Sequence, residues 1–168
     1  MARSRKSQTK VGLNSKLSAV DLLTISYDGA AAIAEGAPIA VGATGAAVVP
    51  TGGNTSTQPV FVNFVDSARN DVIDFQGDAF SDLPAVAISD SGKLTGITGR
   101  NTLIGLPKEC WAGGALPAAG EGVITTAGEW DTEAVSQDSA YYGVVLYIAD
   151  NRAWFLFSST PSVAKSGA

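Results

Sequence analysis

The hydrophobic residues of this chain occur in short runs that are separated by glycine, proline and small polar residues. In VDLLTISY (20–27), alternation places Leu23, Ile25 and Tyr27 on one side of an extended segment. A second run, PVFVNFVDS (59–67), shows the same period, and turn signals recur roughly every 8–12 residues along the chain. The pattern predicts an all-β fold, a compact sandwich or barrel of about eight to ten short strands.

The C-terminal part of the chain has the strongest hairpin signal. YYGVVLYI (141–148) and AWFLFSS (153–159) are rich in β-branched and aromatic residues, and they flank ADNR (149–152) with its Asp150–Asn151 pair. Both runs are apolar on both faces, which is typical of strands that are covered on both sides. Two explanations stay open: the hairpin lies at the centre of a sandwich, or a neighbouring subunit covers its second face.

Charge divides the chain into a basic start and an acidic body. Five of the eleven basic residues lie in 1–16, which has no acid, so 17–168 hold six basic residues against sixteen acids, about −10 in net charge. We predict a flexible basic arm (1–16), a single β domain (17–160) with an extended arm before it, and a flexible tail (161–168). An acidic body repels phosphates and argues against nucleic acid as a partner. The arm is either a solvated tail or a segment that orders on an acidic protein surface.

The residue inventory excludes several classes of enzyme. The chain contains a single cysteine, Cys110, and no histidine, so an internal disulfide, a Ser-His-Asp triad and a histidine-based zinc site are all ruled out. A phosphate-binding P-loop motif is missing from the sequence. We therefore expect no enzymatic activity and no cofactor. For Cys110 we expect a buried, inert thiol, with an intermolecular crosslink as the alternative.

Two sets of side chains offer weaker chemical alternatives. Five aspartates follow the middle strand signal, and either calcium binding or a glycosidase-type carboxylate pair is an alternative to their solvation in a loop. The set is Asp66, Asp71, Asp74, Asp78 and Asp82. The three tryptophans, Trp111, Trp130 and Trp154, are either core or interface anchors or a platform that stacks on sugar rings.

The first residues do not read as a secretion signal, because MARSRK is followed by VGLNSK rather than by an apolar core. The uncharged stretch at 36–50 is too short and too rich in glycine to span a bilayer. We expect a soluble protein that is made in the cytoplasm and has no membrane partner.

The sequence resembles the small virion proteins of tailed bacteriophages, in particular the head decoration, or cement, proteins, in its Gly- and Ala-rich segments between short apolar runs. The resemblance rests on GAPIAVGATGAAVVPTGG (36–53), GEGVITTAGEWDT (120–132) and YYGVVLYIADNRAWFLFS (141–158), and it extends over most of the chain from about Val20 onward. It implies a compact β domain that sits as a homotrimer on the outside of a capsid. It also implies a terminal arm that ties this domain to the major capsid protein.

Carried onto this sequence, the resemblance suggests two groups of contact residues. The arm residues expected to touch the capsid are Arg3, Arg5, Lys6 and Lys10. The residues expected at the interface between subunits are Trp154, Phe155, Phe157, Cys110 and Trp111.

Two further functions remain open at this stage. A phage tail tube, tail-completion or baseplate component would also be an all-β oligomer, but it would form a hexameric ring. A carbohydrate- or receptor-binding module would use the tryptophans. An enzyme acting through Asp71 and Asp74 is a more distant alternative.

Overall fold

A computed structural model describes residues 11–13, 22–27, 33–53, 58–64, 92–137 and 139–163. Antiparallel β-strands dominate, and the all-β prediction is confirmed. In the described ranges, no helix reaches the length and apolarity that a membrane span needs. The strands are β1 (Gly12–Leu13), β2 (Leu22–Tyr27), β3 (Pro38–Val41), β4 (Ala47–Val48), β5 (Val60–Asn63), β6 (Gly92–Ile97), β7 (Arg100–Pro107), β8 (Gly122–Thr126), β9 (Glu129–Glu133), β10 (Ala140–Tyr141), β11 (Val145–Ala149), β12 (Arg152–Ser158) and β13 (Ser162–Val163).

The predicted C-terminal hairpin is present as β11 and β12. Its two-residue turn is Asp150–Asn151, and both residues have positive φ, 52° and 56°, as a tight hairpin turn of this kind requires. The hairpin belongs to a four-stranded sheet of order β1-β7-β12-β11, in which β12 lies at the centre beside β7. A β-bulge between Val145 and Tyr147 shifts the register of β11 against β12.

The other strands form a five-stranded sheet of order β2-β6-β5-β3-β4 and two two-stranded pairs, β8-β9 and β10-β13. Two short 3-10 turns, Lys108–Cys110 and Ala112–Gly114, follow β7. The alternation seen in the sequence is kept in β2, where Ile25 and Tyr27 are buried. Backbone hydrogen bonds from Val60 N to Ser159 O and from Ser159 N to Gly99 O join the ends of the two large sheets.

One aromatic-rich core lies between these sheets and receives side chains from strands that are far apart in sequence. Trp130 from the β8-β9 pair meets Phe155 and Phe157 from β12, with ring centroids 6.0 Å and 5.8 Å away. The indole Nε1 of Trp130 donates a hydrogen bond to the Gly36 carbonyl oxygen at 2.7 Å, in the loop before β3. Trp130 thereby ties the small β8-β9 pair to both larger sheets.

Strand pairing reaches beyond both predicted ends of the β domain. Val11 is buried in the core, and β1 pairs antiparallel with β7, so residues before 17 take part in the fold. At the other end, β13 pairs with β10, so the fold extends beyond residue 160. The sequence did not predict these two short strands, because a two-residue strand beside a basic or small-residue segment leaves no periodic signal.

The turn between β8 and β9 provides a test of backbone strain. Ala127 and Gly128 both have positive φ, 47° and 86°, and an L-residue with a β-carbon is strained there. Because asparagine tolerates this conformation better than alanine, Ala127→Asn is expected to raise the free energy of unfolding by about 0.5–1 kcal/mol. Urea unfolding measures the change. Ala119→Asn is the matched control, since Ala119 is exposed and has no positive φ; equal effects at both positions would contradict the assignment to turn strain.

Candidate functional site: an exposed apolar sheet face

Four of the five residues predicted for the subunit interface belong to the chain's own core. Phe155 and Phe157 have no exposed area, and Trp111 and Cys110 are 2% and 6% exposed. Trp111 also donates from its Nε1 to the Leu106 carbonyl oxygen at 3.2 Å. A side chain without exposed area has no surface to offer a neighbour. Of the five residues predicted for the interface, Trp154 keeps a partly exposed side chain.

Around Trp154, however, the hairpin carries a surface that is apolar and open. Trp154 and Leu156 share one side of β12, because Ala153, Phe155 and Phe157 alternate with them and turn inward. The exposed apolar side chains of the hairpin and of the residue before it are between 37% and 46% exposed: Val144, Leu146, Tyr147, Ile148 and Leu156. Ile148 is the register partner of the inward-facing Ala153, so it lies on the other side of β11, at the sheet edge. We call the other four residues together with Trp154 the hairpin face.

Trp154 is held in a fixed position on this face. Its indole lies over Gly105 of β7, where a β-carbon would come within 2.6 Å of the ring, and it reaches Gly12 of β1. Its Nε1 donates to the Ala149 carbonyl oxygen at 3.2 Å. The ring of Tyr147 stacks beside it, with centroids 6.1 Å apart and planes 16° from parallel. The two aromatic rings therefore form a preorganised pair at the surface.

The strand at the border of the hairpin face is open along most of its outer edge. β11 is the last strand of its sheet, and only its start is covered, by hydrogen bonds between Val145 and the backbone of Gly120 and Glu121. Among the described residues, no strand pairs with the outer edge of 146–149. Sheet edges of this kind are templates for pairing with another chain unless charge, proline or a covering segment protects them. LYIA (146–149) has neither charge nor proline.

The chemistry of the hairpin face favours a protein partner. Large exposed apolar patches mark interaction sites, and aromatic anchors that are already ordered lose little entropy on binding. A stacked Tyr-Trp pair also suits a sugar ring, but sugar sites surround such a pair with polar groups. Here the other exposed side chains of the hairpin face are the aliphatic Val144, Leu146 and Leu156. The polar group beside Trp154 is Arg152. Over the described ranges, no group of three or more Cys, Asp or Glu side chains is placed to hold a metal ion.

The remaining sites predicted from the sequence are the basic arm, the aspartates and the tryptophans. The arm residues Arg3, Arg5, Lys6 and Lys10 and the five aspartates between 66 and 82 are outside the described residues. Of the three tryptophans, Trp111 and Trp130 are buried, so they offer no platform to a sugar. Sequence reasoning missed Leu146, Tyr147, Ile148 and Leu156 as surface residues. The alternation of side chains along the two strands indicates that the hairpin has two faces, but it does not show which face is exposed to solvent.

Gly105 provides a direct test of how the aromatic pair is held. In Gly105→Ala, the new methyl group would occupy the position of the Trp154 ring, and the indole must move away. We expect a loss of about 1 kcal/mol in stability and a red shift of tryptophan emission as the ring enters solvent. Gly12→Ala is the comparison variant, because its nearest contact is the far end of the same indole. An unchanged Trp154 environment in Gly105→Ala would contradict the packing described here.

Comparisons with protein-family models, with curated proteins and with solved structures found no match to this chain.

Proposed function

We propose that this protein is a structural component of a virion, a decoration protein that binds and stabilises the outer capsid lattice of a tailed phage by contact alone, without catalysis. The observation that carries the proposal is the hairpin face. A compact β domain exposes six apolar side chains on and beside an open sheet edge, with two of them stacked in a fixed pair. Such a surface suits a subunit whose working state is an assembly.

The energetics of the hairpin face support a permanent contact. Complete burial of one aliphatic or aromatic side chain stabilises by about 1.5–3 kcal/mol, so covering the exposed two-fifths of each contributes roughly 1 kcal/mol. The body of the chain carries strong negative charge, and identical bodies repel each other unless they meet at an uncharged surface. The hairpin face contains no acid, and the charged side chain beside Trp154 is the cation Arg152. We therefore propose that neighbouring copies meet there, as a homotrimer.

The basic residues before β1 complete the proposed mechanism. Arg3, Arg5, Lys6 and Lys10 would form charge-assisted contacts with acidic surface of the major capsid protein. A protein that bridges several capsid subunits must be detached before these subunits separate under the pressure of packaged DNA. Binding to the expanded lattice alone stabilises that lattice by mass action. The protein would be made in the host cytoplasm and would end on the capsid exterior.

One observation favours a second candidate, a carbohydrate-binding module. The near-parallel Tyr147–Trp154 pair offers an aromatic surface of the kind that stacks on sugar rings. This candidate predicts that Trp154 fluorescence changes on addition of glycans. A tail component remains a further alternative, and it predicts a hexameric ring instead of a trimer.

Co-sedimentation with purified expanded phage heads that lack this protein tests the proposal. We expect saturable binding of the full chain. Binding of the variant R3Q/R5Q/K6Q is expected to be roughly tenfold weaker at low salt, because exposed charge pairs contribute about 0.2–1 kcal/mol each. The difference should shrink as salt is added.

Arg100→Gln is the control for the loss of a cation, since Arg100 is exposed at the start of β7 and lies outside the arm. It should bind like the unaltered chain. Failure of the full chain to sediment with heads, at any salt concentration at which both are intact, would refute the decoration function.

A further inference from the structure

A cavity of about 210 Å³ lies where the loop before β3, the 3-10 turn after β7 and the β8-β9 turn meet. Its walls are mainly apolar and include Ile33, Ala37, Val49 and Cys110. Two exposed carboxylates, Glu109 and Glu129, stand at its border. The cavity lies apart from the hairpin face, and its lining includes no residue of that face.

The shape and charge of this cavity suit a basic side chain. Lysine and arginine have long apolar stems that pack against aliphatic walls, while their charged ends remain beside carboxylates or water. A cation placed between Glu109 and Glu129 would make charge-assisted hydrogen bonds. The apolar walls make a small inorganic cation a poor match, because such ions need a shell of oxygen ligands.

The chain segment that precedes Val11 can supply such a side chain, because Val11 lies beside the cavity. A methyl group on Gly36 would lie 2.6 Å from Cys110 Sγ and 3.7 Å from Val11 Cγ2, so Val11 and Cys110 meet around Gly36. The neighbours of Gly36 in the chain, Glu35 and Ala37, both line the cavity. The ten residues before Val11 contain four basic residues and no acid. Ten residues extend up to about 33–36 Å, so each of the four basic side chains is within reach.

We propose that this cavity is a binding site for the chain's own segment 1–10, which returns from Val11 and inserts a lysine or arginine side chain between Glu109 and Glu129. The contact forms within one chain, before any assembly. It keeps the basic segment on its own acidic body until a more acidic surface competes for it. This proposal does not depend on the virion function, because it concerns the free protein.

Cys110 reports on the cavity, because it lines the cavity and is the only cysteine of the chain. We would measure the rate at which iodoacetamide, a small uncharged reagent, alkylates Cys110 in the full chain and in R3Q/R5Q/K6Q/K10Q. An inserted arm that occupies the site nine-tenths of the time makes the unaltered chain react roughly tenfold more slowly at low salt. In about 1 M salt, the Debye length falls to about 3 Å and the attraction between the arm and the two carboxylates is screened. The alkylation rates of the unaltered chain and the arm variant should then be equal.

A double-mutant cycle separates the contact from general charge effects. In the background E109Q/E129Q, the four arm substitutions should leave the alkylation rate unchanged, because the arm has lost its partners. Arg100→Gln controls for the loss of a cation far from the cavity, at the opposite end of β7. Its rate should equal that of the unaltered chain.

Two results would overturn the proposal. The first is an equal rate for the full chain and the arm variant at low salt, with both proteins folded to the same melting temperature. The second is protection of Cys110 that rises with protein concentration, because the inserted segment would then come from another copy. Both measurements use the protein without phage heads, so they leave the test of lattice binding independent.

Discussion

Replacement of Trp130 by alanine is expected to lower the free energy of unfolding by about 3–5 kcal/mol. Trp130 has no exposed area, and its ring contacts Tyr142, Phe155 and Phe157 at centroid distances between 5.8 and 6.1 Å. Removal of the indole leaves a cavity among these rings. It also leaves the Gly36 carbonyl oxygen without the hydrogen bond that Nε1 donates to it. Chemical denaturation followed by circular dichroism measures the loss.

Trp154→Ala is the matched control for this prediction. Trp154 is partly exposed, and it rests on Gly105 and Tyr147 at the surface. Its removal should cost about 1–2 kcal/mol and leave the core intact. Trp130→Phe adds a second comparison, because it keeps most of the buried ring and loses the hydrogen bond. Equal costs for Trp130→Ala and Trp154→Ala would contradict the division between a core and a surface tryptophan.

The second large effect is expected for self-association. The double variant L146D/L156D places two carboxylates on the hairpin face, where the proposed subunit contact would bury them. Substitution of a central, desolvated contact residue costs about 2 kcal/mol or more. Two such losses weaken association roughly a thousandfold, since each factor of ten corresponds to about 1.4 kcal/mol. Size-exclusion chromatography with light scattering should find monomers where the unaltered chain forms trimers.

Leu23→Asp is the control for this variant. Leu23 is 38% exposed, as much as Leu156, but it lies on β2 in the five-stranded sheet. It should leave the oligomer unchanged. A trimer that survives L146D/L156D would move the subunit contact away from the hairpin face. A chain that is monomeric without any substitution would refute free self-association, and the lattice-binding test would still stand.

The sequence predicted the class of fold and its clearest element because both depend on local patterns. Alternation, β-branched residues and glycine-rich turns are properties of neighbours along the chain. The C-terminal hairpin was confirmed with its turn at Asp150–Asn151, although its strands span Val145–Ala149 and Arg152–Ser158 and Tyr141 pairs with β13 instead. The strand β1 was not predicted, because it is only two residues long and is held by β7, about ninety positions away in the chain.

The sequence also determined that the hairpin is apolar on both faces, but only the tertiary structure decided which face is covered. Phe155 and Phe157 turn inward because Trp130, Tyr142 and the strands of the other sheets pack against that side. Trp154 and Leu156 turn outward on the same strand, and the bulge in β11 places Tyr147 beside Trp154. Burial of a strand face depends on contacts between distant segments, whereas alternation records only that two faces exist.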